Sequence, residues 1–94
     1  MRIMYKEYGH REVIEVKRIY REYDYSLSKC LLIVEFKGYA LKFNVPEHKI
    51  EELLKSALET GFANLINYEL MARSYLYKEN NYIWRWNSWI SKMS

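Results

Sequence analysis

A chemical centre needs several Asp, Glu, His or Cys side chains that can converge on one point. This chain of 94 residues supplies one aspartate, Asp24, two histidines, His10 and His48, and one cysteine, Cys30. His10 falls at a turn and His48 in the first turn of an exposed helix face, where a solvated histidine is the ordinary outcome. Glu51 and Glu52 are neighbours on that same helix and point about 100° apart, so they do not form an acid/base dyad. Cys30 opens the apolar run CLLIV. It has no second cysteine to pair with and reads as packing in a reducing, cytoplasmic setting. There is no Gly-rich phosphate loop, nucleophile elbow or CxxC. The expectation is a protein that is not an enzyme, takes no cofactor or metal, and acts by contact.

Two groups of residues are suited to contact. The stretch NYIWRWNSWISKM, residues 81–93, holds all three tryptophans. On a helical wheel Ile83, Trp86, Trp89, Ile90 and Met93 share one arc, and Trp84 projects from the polar side. A strand would align Tyr82, Trp84 and Trp86 but breaks at Asn87-Ser88, so a short helix begun by the Asn80-Asn81 cap is preferred. Tyr82, Trp84 and Arg85 are then the candidate contacts for a protein partner or a second copy of the chain, since Trp, Tyr and Arg dominate interface hot spots. The bland alternative is that the aromatics fill a small core.

The second group is Lys17, Arg18, Tyr20, Arg21 and Tyr23, which interleave cations and aromatics as single-stranded nucleic acid would require. Glu15, Glu22 and Asp24 dilute that field. The net charge of +3 resides in residues 1–43, with nine Lys/Arg against six acids, while residues 44–94 balance. An internally paired charged face is the plain alternative.

The elements that must position these residues form a single domain at this length. KCLLIVEFKGYALKFNV alternates Leu32, Val34 and Phe36, then Tyr39, Leu41, Phe43 and Val45 about Gly38, which predicts a β-hairpin. Pro46 opens a helix at a position where its missing N–H is harmless, and Gly61 ends it. Its stripe of Ile50, Leu53, Leu54, Ala57 and Leu58 predicts a lid on a sheet face. Residues 62–79 read as a helix with two apolar faces. REVIEVKRIYREYD reads as a strand, with helical spacing as the alternative, and RIMYKEY as its hairpin partner. The expected fold is α+β: an antiparallel sheet of three or four strands followed and packed by two or three C-terminal helices.

Over residues 19–66 the chain resembles the KTSC-type small domains. The resemblance lies in Tyr23-Asp24 before a strand, LLIVEFKGYALKFNVPEHKIEELLKS, and GFANLI. The chain departs from that pattern in lacking a Gly before Tyr-Asp, in carrying Ala63 between Phe62 and Asn64, and in its aromatic C-terminal extension. The resemblance implies a β-meander-plus-helix binding module, with RNA as a suggested ligand, and brings no catalytic residue. The residue usage, rich in Tyr, Ile, Asn and Lys and poor in Gly, Ala and Pro, suits an AT-rich gene. An inhibitor or adaptor from a phage, virus or other mobile element fits that usage. No apolar run approaches the roughly 20 residues of a membrane span, and residues 1–10 lack a signal-peptide core.

Overall fold

A computed structural model describes residues 1–77 and 81–86, with side chains through Tyr75. Strands dominate, and the described residues contain one helix, so the expectation of two or three C-terminal helices is overturned. The hairpin of β1 (Arg2–Glu7) and β2 (His10–Glu15) is completed by the short β6 (Phe62–Asn64), which runs parallel to β1. These make a three-stranded sheet in the order β2-β1-β6. A second, antiparallel sheet runs β3 (Arg18–Asp24), β4 (Lys29–Phe36), β5 (Tyr39–Asn44), β7 (Glu69–Tyr77) and β8 (Asn81–Trp86), in that spatial order. The single helix α1 (Glu47–Thr60) connects β5 to β6.

The β4–β5 hairpin forms with Phe36 opposite Tyr39, and Gly38 supplies φ of 77° at the turn. Helix α1 stops where expected: Gly61 adopts the left-handed conformation and its N–H returns to the Ala57 carbonyl at 3.0 Å. Pro46 stands just before the helix as its N-cap rather than inside it. The stretch REVIEVKRIYREYD is extended, but Val16 and Lys17 divide it into two strands that belong to different sheets.

The helix expected over residues 62–79 is replaced by the strands Phe62–Asn64 and Glu69–Tyr77 joined by a turn, and its last two residues lie outside the described residues. The pairing of β5 with β7 shifts between Lys42 and Phe43, so Leu70 lies opposite Phe43, Ala72 opposite Lys42, and Met71 is the extra residue of a bulge. That insertion breaks the period of two and leaves a contiguous apolar run, LMA, which imitates helical spacing. Residues 81–86 are also strand. Tyr, Ile and Trp favour a pleated surface, and the break at Asn87-Ser88 marks where β8 ends. Residues 87–93 of the expected C-terminal helix lie outside the described residues.

One face of the five-stranded sheet packs on the small sheet and on α1. Its Leu32, Val34, Leu41, Phe43 and Leu70 meet Ile3, Tyr5 and Ala63 of the small sheet and Ile50 and Ala57 of α1. Each such side chain contributes about 1.5–3 kcal/mol on burial. The connecting residues Val16, Val45 and Leu65 complete this core. The sheet's other face carries a second buried cluster of Leu31, Ile33, Ala40 and Met71, flanked by Tyr20.

Tyr5 reaches the core edge-on against Phe43, with ring centroids 5.8 Å apart, and its hydroxyl donates to Glu12 Oε2 at 2.9 Å. Burial, reinforced by the Glu12 carboxylate, pushes the phenol up from 10.0 to about 12. The folded value exceeds the unfolded one, so this stabilising contribution is complete below about pH 10 and disappears as pH rises through about 12. A Tyr5→Phe variant therefore loses less stability than the wild type over that window, by about 2 kcal/mol. Urea midpoints measured from pH 9 upward test this; parallel curves would refute it.

Candidate interaction site

Strand β3 forms one edge of the five-stranded sheet, and only β4 pairs with it among the described residues. The pairing register sorts its side chains. Ile19, Arg21 and Tyr23 oppose Val34, Leu32 and Cys30 and so share the face that packs on α1, while Arg18, Tyr20, Glu22 and Asp24 share the other. Below the edge, Met1, Ile19, Tyr20, Arg21, Leu54 and Leu58 line an open groove of about 400 Å³.

The groove is apolar because Leu54 and Leu58 of α1 line it together with Ile19 of β3 and Met1. Ile50 and Ala57 are buried and Leu53 and Leu54 pack partly against the core, but Leu58 is 86% exposed. The stripe read as a lid therefore ends in a leucine facing solvent. Arg21 closes one side of the groove through an ion pair with Glu51 of α1, at 2.5 Å. Contact between this strand and this helix thus couples an apolar floor to a charged wall.

On the opposite face of β3 the charges are organised along the strand. Arg18 pairs with Glu35 at 3.3 Å and lies 4.6 Å over the Tyr20 ring. Burial and the neighbouring Glu35 carboxylate push the Tyr20 phenol upward. Farther along, Lys42 of β5 is buried, with Glu22 at 3.8 Å and Asp24 at 4.0 Å. Burial alone would disfavour ionised Asp24, but the Ser26 hydroxyl, the backbone N–H groups of Leu27 and Ser26, and the Lys42 ammonium hold its carboxyl below the usual range. Among the described residues no three His, Cys, Asp or Glu side chains gather as a metal ion would need.

No family model, curated protein or solved structure matches the chain.

The residues expected to meet nucleic acid do not form one surface. Lys17 lies in the bend before β3, its N–H bonded to the Glu35 carbonyl at 2.7 Å. Arg18 and Tyr20 share one face of the strand, Arg21 and Tyr23 the other. Both arginines are engaged with carboxylates of the chain itself. Tyr23 is 45% exposed and meets Tyr25 edge-on, with ring centroids 4.9 Å apart.

The expected partner contacts Tyr82, Trp84 and Arg85 lie on β8, the other edge of the same sheet. Their register partners on β7 are Leu76, Ser74 and Arg73. Tyr82 and Trp84 therefore take alternate register positions along β8, with Arg85 next to Trp84. The reading of Trp84 as an outlier on a polar helix face is replaced by a regular strand position.

Sequence reasoning missed Leu58 as a surface residue. The signal was its place at the far end of the apolar stripe, eight residues beyond Ile50, where nothing in the sequence shows how far the covered sheet extends. It also missed a row of rings across three strands. Phe36 stacks on Tyr39 at 5.3 Å, and Tyr39 meets Tyr75 edge-on at 5.0 Å. The rings contact one another and so support the strand pairing, while Tyr39 and Tyr75 stay 38% and 43% exposed.

No helix of the described residues is long and apolar enough to cross a membrane.

Proposed function

We propose that this chain is a non-enzymatic, protein-binding module, an inhibitor or adaptor that acts by occupying its partner, and that it binds through the groove beside β3. The observation that carries this reading is the exposed Leu58 above an apolar groove at the edge of a sheet. A strand edge accepts the backbone of an extended polypeptide, and an adjoining apolar pocket takes one of its side chains and supplies selectivity. The alternative partner, single-stranded nucleic acid, gains less support, because Arg18 and Arg21 lie on opposite faces of β3 and do not make one cationic surface.

The expected result is that Leu58→Glu abolishes retention of the partner by the immobilised chain. Its melting transition stays within about 0.5 kcal/mol of wild type, since the side chain is already in water. A partner bound equally by both forms would refute this assignment. Salt-dependent capture of a generic RNA, lost on joint Lys17→Ala and Arg21→Ala substitution, would favour nucleic acid instead.

A further inference from the structure

The geometry points to a second copy of this chain as the occupant of the β3 edge, the two β3 strands pairing antiparallel about a two-fold axis at Tyr20. This rests on the reading of that edge as a binding site and names its partner. A continuous sheet across a two-fold axis requires directly opposed residues to lie on the same face, so the axis must pass through a residue position. Of the registers near the middle of β3, centring on Arg21 sets two arginines against each other, and centring on Glu22 sets two glutamates against each other. Centring on Ile19 opposes Lys17 to Arg21. Like charges directly opposite are unfavourable.

Centring on Tyr20 removes every such clash. Arg18 then faces Glu22 of the second copy, Glu22 faces its Arg18, and the two Tyr20 rings meet at the axis. Arg18 and Glu22 lie on the same face of β3 with side chains 65% and 49% exposed, and each carries an intrachain ion pair, to Glu35 and to Lys42, that the cross-copy contact would extend or exchange. On the face toward α1, Ile19 opposes the aliphatic stem of Arg21. The same arrangement brings together the two grooves, and with them the two exposed Leu58 side chains and the partly exposed Met1 side chains. One interface thereby satisfies the strand edge, the charges and the apolar floor.

Sedimentation of the full chain over a concentration series tests this. Wild type is expected to dimerise. Arg18→Glu and Glu22→Arg are each expected to weaken self-association about 10-fold or more, because each sets like charges opposite one another twice per dimer. Mixing the two variants is expected to restore a dimer, since every pair then has opposite signs. That rescue separates a lost interface from a lost fold.

A wild-type chain that stays monomeric at about 0.1 mM, or a mixture that associates no better than its components, would overturn the self-pairing. Should the wild type be monomeric while a Leu58-dependent partner is still captured, the groove reading survives and only the identity of its occupant is wrong. Should Leu58→Glu change neither dimerisation nor capture, both readings fall.

Discussion

Phe43→Ala lowers the stability of the fold by about 3–5 kcal/mol in urea at neutral pH. Phe43 is fully buried on β5, the central strand of the five-stranded sheet, between Leu32 on β4 and Leu70 on β7. Its ring also meets Tyr5 of the small sheet, so it holds the two sheets together. Removing it strips apolar contacts from both layers and leaves a void that β-strands, fixed by their ladders, cannot close. The loss is a large part of the roughly 5–15 kcal/mol that a domain possesses. Val13→Ala on β2 supplies the comparison, because Val13 is 54% exposed and its truncation moves stability by about 0.5 kcal/mol or less. Equal effects at the two positions would show that the sheets do not pack as described.

The second large effect is expected at Lys42. Its ammonium is buried on the face of β5 opposite Phe43 and lies within 4.0 Å of Asp24, whose side chain is 10% exposed. Lys42→Ala leaves that carboxylate short of a counter-charge and should destabilise by about 3 kcal/mol, the lower end of the range for broken buried pairs because Glu22 is half-exposed. The pH dependence follows from Asp24, whose carboxyl is held below the usual range. Its contribution is present above the ordinary carboxylate value and disappears as pH falls through the lowered one. The gap between wild type and Lys42→Ala should therefore be widest near neutrality and narrow in acid. A gap independent of pH would assign Lys42 a packing role alone.

The parts of this fold legible in the sequence are those in which local signals agree. Leu32, Val34 and Phe36, then Tyr39, Leu41 and Phe43, alternate about a glycine and form the central hairpin. Pro46 and Gly61 bracket a helix that begins and ends beside them. Where local signals conflict, the tertiary partners decide. Glu69, Leu70, Met71 and Ala72 are sound helix formers, yet their segment pairs with β5 on one side and β8 on the other. A strand that buries residues on both faces, Leu70 on one and Met71 on the other, needs no strict alternation, and the bulge at Met71 erases what alternation there was. Residues 81–86 carried the strand signal in Tyr82, Trp84 and Trp86. A helical wheel fitted to a dozen residues competed with it because so short a window satisfies both periods.

The candidate site was legible in pieces. Arg18, Tyr20 and Arg21 were singled out for their chemistry, and all three belong to the β3 edge or its groove. Their alternation between faces depended on β3 being a strand, which the spacing of Val13, Val16, Tyr20 and Tyr23 left open. Leu58 depended on which turn of the apolar stripe the core leaves uncovered, which packing decides.

The ribbon between Arg2 and Phe62 fixes an order of events for a nascent polypeptide. The opening strand is synthesised early and can zip with its hairpin neighbour at once. Its other border must stay bare until some sixty further residues have left the ribosome. A translation pause before that point would leave the β1–β2 hairpin uncovered along one border until β6 emerges.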